Sequence, residues 1–361
     1  MANTYCILMA GGVGSRFWPV STEILPKQFH DLLGTGESLI QQTYRRLRLL
    51  TDADKILVVT HRNYVALTKE HLPDLKEENI LAEPSRRNTA PCITYASYRI
   101  LSEDPQANIL IAPSDHLISN EKEFERVAQL ALTAAEKWSF LITLGIKPHR
   151  PDTGYGYIQY EAHGYKEMPD EIKAVKTFTE KPNEEIAREF IQSGDFLWNS
   201  GIFVWNLQTY LKELKEHQPE LYQTFDKGRN NFGTAKEDSF LNKVYPSCEN
   251  ISIDYGLMEK ANQVLVIPAD FGWSDLGTWG SLYEHSEKDE NGNAVQGDRL
   301  LTYESSNNVI QVPRGKATVI SNLDNHIVID TGKSLLICRK DQEQLIKTFV
   351  SDLKLRFGEA N

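Results

Sequence analysis

Between Tyr5 and Trp138, short apolar runs alternate four times with helix-forming stretches, and this rhythm constrains the fold more than any other feature. The runs 5–10, 56–60, 80–82 and 108–112 read as strands, and the stretches 38–50, 64–71, 90–101 and 121–138 read as helices. Pro91 sits in the first turn of the third helix, where its missing N–H does no harm. Strands and helices at this spacing predict an α/β fold with a parallel sheet covered on both faces. Sites in such folds lie beyond the carboxyl ends of the strands. Three segments meet that condition: the glycine-rich Gly11–Gly14 after the first strand, Glu83 after the third, and Asp115 after the fourth.

The pattern then changes. Residues 141–205 are β-rich, with a strand at Phe203–Trp205, and 207–262 are mostly helical and polar. The stretch 285–298 is rich in Asn, Gly, Asp and Glu, which places a domain boundary there. The expected division is 1–287 for the larger domain and 288–361 for a small β domain. Four short runs, 309–312, 317–320, 326–329 and 335–337, supply its strands, and 342–355 a final helix.

A net charge of −11 over 361 residues argues against a broad nucleic-acid-binding surface. An anionic substrate would therefore need a local cluster of Arg and Lys, or a metal. Cys6, Cys92, Cys248 and Cys338 are far apart with no CxxC pair, and the nine histidines show no HxxxH spacing. No apolar run is long enough to span a membrane, and the N-terminus lacks a signal-peptide pattern. A cytoplasmic protein with neither membrane nor nucleic-acid partners is expected.

The richest chemistry lies at Gly11-Gly12-Val13-Gly14-Ser15-Arg16-Phe17-Trp18-Pro19, followed by Pro26-Lys27-Gln28-Phe29. Glycines let backbone N–H groups approach and cradle phosphates, and Arg16 and Lys27 add the fixed cations a triphosphate needs. Two standard phosphate loops do not fit. A Walker A loop needs Lys directly after its last Gly, and a dinucleotide fingerprint starting at Gly12 needs Gly where Phe17 stands. Other distinctive segments are Glu83-Pro84-Ser85-Arg86-Arg87-Asn88-Thr89-Ala90-Pro91, Pro113-Ser114-Asp115-His116 and Thr153-Gly154-Tyr155-Gly156-Tyr157-Ile158. Further on come Phe178-Thr179-Glu180-Lys181-Pro182, Trp198-Asn199-Ser200-Gly201, Ser252-Ile253-Asp254-Tyr255 and Gly272-Trp273-Ser274-Asp275-Leu276-Gly277.

In that order these segments resemble the sugar-1-phosphate nucleotidyltransferase family, and the PKQF form resembles its mannose-1-phosphate guanylyltransferase branch. Thr22 and Arg86 depart from the pattern, standing where many relatives carry Arg and Gly. The resemblance implies a Rossmann-like nucleotidyltransferase domain with a mixed, mostly parallel sheet. It also implies a β-helix-like C-terminal piece that helps to form a homodimer. Longer members append an isomerase domain, for which a chain ending at 361 leaves no room.

The implied reaction transfers GMP from GTP to mannose 1-phosphate, giving GDP-mannose and pyrophosphate with Mg²⁺. By resemblance, Asp115 and Asp275 hold the metal, Arg16 stabilises the departing pyrophosphate, and Lys27 neutralises charge at the reaction centre. Gly11, Gly12, Gly14, Ser15, Glu83, Asn88 and Thr89 are the expected nucleotide contacts, with Glu83 offering both carboxylate oxygens to guanine's two donors. Gly154, Glu180, Lys181 and Asn199 are the expected sugar-phosphate contacts. For Asp254, a site role and a plain helix cap stand equal. Alternatives are another sugar-1-phosphate or nucleotide, or a non-catalytic paralogue that binds nucleotide sugars. Such a paralogue would be expected to have lost Arg16, Lys27 or a metal Asp.

Overall fold

A computed structural model describes residues 3–358. They form two compact units. The first runs through Gly11, Thr43–Ser114 and Ile118–Trp273; the second holds Gly12–Gln42, Asp115–Leu117 and the described residues from Ser274 onward.

The first unit is built on a nine-stranded sheet. Its strands are β1 (Thr4–Ala10), β2 (Ile56–His61), β3 (Ile80–Glu83), β4 (Asn108–Pro113), β6 (Leu141–Ile146), β7 (Gly156–Tyr160), β8 (Lys173–Glu180), β9 (Phe196–Asn206) and β10 (Val264–Ala269). Two short strands, β5 (Leu117–Ile118) and β11 (Trp273–Ser274), lie outside it. The order is β3-β2-β1-β4-β9-β6-β10-β8-β7. β1 pairs in parallel with β2 and β4, β2 with β3, and β6 with β10. β9 runs antiparallel to both β4 and β6, and β8 to both β10 and β7, so the expected mixed sheet carries one reversed strand in its middle and a second near one edge. β2 and β4 are buried almost end to end, as strands covered on both faces should be.

The helices are placed by local signals. The Asn88 side chain accepts the Thr89 N–H and caps the helix Thr89–Leu101. Asn120 caps Glu121–Lys137, with Glu121 and Glu123 in the first turn and Lys137 in the last. Thr89–Leu101 buries nearly every side chain, and its Tyr98 packs beside Phe225 and Phe232. Trp205 at the end of β9 stacks on Tyr210 with ring centroids 5.1 Å apart. The four predicted strand–helix pairs occur in order, although the first helix, Leu39–Leu47, stops three residues before the expected end at 50.

In the second unit the C-terminal strands wind as a coil. They are β12 (Ala294–Gln296), β13 (Leu300–Tyr303), β14 (Val309–Gln311), β15 (Thr318–Ser321), β16 (His326–Asp330) and β17 (Leu335–Arg339). β12, β14 and β16 form one parallel ladder, and β13 and β15 form another. Alternate strands of the chain thus lie on different faces of one coil, the expected β-helix-like arrangement. Ile310, Val312, Ile320 and Val328 pack together in one cluster. Val309, Ile327, Ile329 and Leu336 pack instead against Phe17, Trp18, Leu32 and Trp279. Residues from 288 onward are therefore grouped with the Gly12–Gln42 loop rather than set apart from it. The Gln296 amide donates to the Leu32 carbonyl at 2.8 Å and ties coil to loop.

Two buried asparagines stack through successive turns of the coil. Asn308 Nδ2 donates to Asn293 Oδ1 (3.0 Å) and the Leu323 carbonyl (2.9 Å), and Asn308 Oδ1 accepts the His326 N–H (2.8 Å). Removing a partner would leave buried polar groups unsatisfied, at about 1–3 kcal/mol each. Asn308→Ala should therefore destabilise the protein by about 3 kcal/mol. Differential scanning calorimetry should show a clearly lower Tm, and a Tm equal to wild type would remove the ladder from the account of stability.

Candidate active site

The loop after β1 turns back on itself at Gly14, whose φ is +70°. A Cβ there would lie 2.4 Å from Lys27 Cβ, so both the backbone angle and the close approach require glycine. Gly12 faces nothing within 4 Å and is not sterically constrained. Lys27 is buried. Its N–H bonds the Val13 carbonyl (3.1 Å), and its ammonium donates to Asp115 Oδ2 (3.0 Å) and the Asp275 backbone carbonyl (2.6 Å). Phe17 lies beneath Lys27 and packs on Trp279 at 4.9 Å.

These residues open onto a cleft of about 270 Å³. Its wall includes Gly14, Ser15 and Arg16 from the turn, then Lys27, Asp115 with His116, Asp275 with Gly277, and Lys347. Burial works to raise the Asp115 pKa, but Lys27 and His116 together bring it below the ordinary value and keep the carboxylate ionised. Asp275 Oδ1 accepts the Gly277 N–H at 2.9 Å. Between them Leu276, fully buried, holds φ at +42°, a strained angle for a branched residue, with its side chain packed and its N–H donating to Ser274 Oγ at 3.1 Å. The Arg16 Nε is buried without a hydrogen-bond partner among the described residues. Arg16, Lys27, Asp115 and Asp275 are thus brought together as expected, with Ser15 and Gly14. Lys347 was not anticipated; it lies in the C-terminal helix, far from every recognisable motif.

The other expected contacts lie in the first unit. Glu83 is buried at the end of β3, and its Oε1 accepts the Tyr245 hydroxyl. Oε2 lies 3.3 Å from where a Cβ on Gly11 would stand. A second pocket nearby is lined by Ala82 and Pro84 but not by Glu83. Tyr245 thus occupies one of the acceptor positions that the two-oxygen reading assigned to a base, and the remaining lone pairs of Glu83 are not engaged by it. Burial pushes its pKa up to about 7, with Tyr245 and Arg86 pulling the other way. Asn88 Oδ1 is engaged in capping, and Thr89 Oγ1 accepts the Ile253 N–H at 2.8 Å. Both side chains hold local structure together. Arg86 donates to the Tyr64 hydroxyl at 2.5 Å, and Thr22, in the second unit, accepts the Leu25 N–H at 3.1 Å, so each departure from the family pattern has a local partner.

Glu180, Lys181, Asn199 and Asp254 form one cluster. Glu180 pairs with exposed Lys181 and lies over Gly156, where a Cβ would come 2.4 Å from Glu180 Oε2. Asn199 is committed inward: Nδ2 donates to Asp254 Oδ1 (2.6 Å), and Oδ1 accepts from Thr143 Oγ1 (3.3 Å) and the Gly201 N–H (3.1 Å). Burial and the nearby Glu180 push Asp254 up to about 6, against the pull of Asn199. Asp254 opens a short helix without a side-chain capping bond, and its carboxylate accepts from Asn199 instead. Gly154 is exposed, its N–H bonded to Asp152 Oδ1 at 2.8 Å.

The nucleotidyl transferase family model matches residues 5–292. The alginate biosynthesis protein AlgA of Pseudomonas putida is 36% identical over 96% of this chain and 71% of its own length. A mannose-1-phosphate guanylyltransferase of Escherichia coli is 36% identical over 97% of this chain and 75% of its own length. The crystal structure of mannose-1-phosphate geranyltransferase from Thermus thermophilus superposes with a TM-score of 0.86 at 29% identity, covering 98% of this chain and 99% of that one. The chain belongs to the nucleotidyl transferase family, and it is an enzyme of the sugar-1-phosphate nucleotidyltransferase class.

The raised pKa of Glu83 has a definite sign. The unfolded carboxyl ionises near 4.5 and the folded one near 7, so the unfolded state gains charge first. The protein therefore loses stability as pH rises from about 4.5 to about 7, and the loss is constant above that. The full effect is up to about 3 kcal/mol. Glu83→Gln, which keeps an acceptor for Tyr245, should be more stable than wild type at pH 8, with little difference at pH 5. Urea unfolding at both pH values checks this; a pH-independent difference would show that Glu83 does not titrate in this way.

Proposed function

We propose that this enzyme transfers GMP from GTP to mannose 1-phosphate, releasing GDP-mannose and pyrophosphate with Mg²⁺ as its metal. The observation that carries the reading is the cleft itself: buried Lys27 bound to Asp115 and Asp275, beside an Arg16 with an unpartnered N–H. The relatives named mannose-1-phosphate guanylyltransferase support the choice of substrates. In the transfer, a phosphate oxygen of the sugar bonds to the α-phosphorus. The bond from that phosphorus to the bridging oxygen breaks, and pyrophosphate leaves with the electron pair. The nucleophile is already an anion, so no general base is required. His116, 4.0 Å from the Asp115 carboxylate, is a supporting group.

The donor set fits the proposed metal. Asp115 and Asp275 offer hard carboxylate oxygens in one cleft, and Mg²⁺ takes one or two carboxylates together with phosphates and waters. When bound, it would neutralise phosphate charge as that charge shifts to the leaving group. Arg16 would hydrogen-bond the departing phosphates, and Lys27 would keep Asp115 oriented while adding positive charge. Glu180 and Lys181 would take the sugar phosphate, with Gly154 offering backbone contacts. Asn199 and Asp254 would set the shape of that subsite. Glu83 would support Gly11 from behind and shape the nucleotide side.

A homodimer and a cytoplasmic location belong to the same reading. Exposed Leu301, Tyr303 and Val319 on paired β13 and β15 suit a partner surface, and buried free thiols at Cys6, Cys92 and Cys248 suit a reducing compartment. Among the described residues, no helix is long and apolar enough to cross a membrane.

A matrix of nucleoside triphosphates against sugar 1-phosphates, scored by pyrophosphate release, tests the substrates. GTP with mannose 1-phosphate should give the highest kcat/KM, EDTA should abolish the rate, and Mg²⁺ should restore it. A tenfold preference for UTP or dTTP with glucose 1-phosphate would overturn the assignment. Asp115→Asn and Asp275→Asn should each lower kcat by about a hundredfold or more, since a lost electrostatic stabiliser of the transition state typically costs about 3–4 kcal/mol. Circular dichroism should show both variants folded; near-wild-type rates at limiting Mg²⁺ would remove that carboxylate from the metal site.

A further inference from the structure

Three cations line the cleft, and they are not equivalent. Lys27 is neutralised by Asp115. Arg16 and Lys347 have no ion pair among the described residues, and the Arg16 Nε is buried with nothing to donate to. Lys347 is exposed, yet its backbone is firmly placed. It lies in the first turn of the helix Ile346–Phe357, which packs on the Ser15–Phe17 turn. Ile346 is fully buried in the cluster that holds Phe17 and Trp279. One turn earlier, Glu343 Oε2 accepts the Gly280 N–H at 2.7 Å, and further along Lys354 pairs with Glu23 at 2.6 Å.

We propose that Lys347 binds the phosphate end of the nucleoside triphosphate, forming with Arg16 a two-cation clamp on the β- and γ-phosphates that leave as pyrophosphate. The clamp rests on the nucleotidyl-transfer reading given above. Residue 347 lies outside the segment 5–292 that the family model matches. Arg16 is the main influence that lowers the Lys347 pKa, with burial second, so two like charges face one cleft. That repulsion is relieved when an anion sits between them. Glu343, one turn before Lys347, accepts the Gly280 N–H and forms no ion pair with Lys347 among the described residues. A guanidinium with an ammonium also matches the ligand: the fork gives directed bonds to one phosphate, and the flexible lysine follows the other as a point charge.

The test is isothermal titration of inorganic pyrophosphate and tripolyphosphate into wild type, Lys347→Ala, Lys347→Arg, Lys347→Glu and Arg16→Ala at constant ionic strength. Lys347→Ala should weaken both ligands about tenfold, the scale of one exposed charge-assisted hydrogen bond. Lys347→Arg should retain most of the affinity, and Lys347→Glu should lose more than Lys347→Ala. KM should rise for GTP and stay constant for mannose 1-phosphate, with an unchanged Tm. If wild type binds pyrophosphate and Arg16→Ala weakens it while Lys347→Ala does not, the clamp is overturned and the transferase reading stands. If wild type binds neither probe, both are overturned.

Discussion

The buried ammonium of Lys27 is the interaction on which the second unit depends. Taking such a charge out of water costs several kcal/mol unless it is paired and hydrogen-bonded. Here the partners come from segments 88 and 248 positions away in the chain. One ammonium therefore pins the glycine-rich loop, the Asp115 segment and the Asp275 segment to a common point. Each partner is needed by the others. Without Asp115 the ammonium would be a buried charge lacking its counter-ion; without Lys27, Asp115 would lose the largest influence that lowers its pKa against burial. The same bond that holds the fold keeps the carboxylate charged.

The loop that carries Arg16 and Lys27 has no secondary structure beyond short turns, so its shape comes from what it packs on. Phe17, Trp18 and Leu32 bury their side chains against Trp279 and the outer apolar faces of β14, β16 and β17. The coil is in turn held by the Asn293–Asn308 ladder and closed by the helix Ile346–Phe357. A region that reads in sequence as a small separate domain is thus the support of the glycine-rich turn. This also explains why Leu276 can hold a positive φ: its side chain is locked in the same apolar cluster.

Much of this was legible in the residues. The alternation of apolar runs with helical patterns placed the first eight elements, because those strands are buried on both faces and the longer helices carry their own caps. Gly14, Arg16 and Lys27 stood out because phosphate chemistry needs glycine and fixed positive charge, and Asp115 and Asp275 through the resemblance to the family. What was hidden depends on long-range geometry. Nothing local marks β9 as the reversed strand between β4 and β6. Nothing local shows that Asn199 bonds Thr143, Gly201 and Asp254, or that Tyr245, 162 positions away, donates to Glu83. Lys347 is one of two lysines on the helix Ile346–Phe357, outside every motif, and the packing of Ile346 beside Phe17 brings it to the cleft.

Charge makes the last connection. The protein carries −11 overall, but at physiological ionic strength a charge is screened beyond about 8 Å, so a polyanion in the cleft feels chiefly what lines it. That lining holds Arg16, Lys27 and Lys347 against Asp115 and Asp275, a local balance of plus one. On the proposed reading a divalent metal raises the balance to plus three, comparable to the charge of a nucleoside triphosphate. Neither component suffices alone: the residues without the metal nearly cancel, and the two carboxylates without the three cations would repel the phosphates they help to bind. On that same reading the acids would hold a cation that the reaction itself brings in, and the cations the leaving group that the reaction sends out.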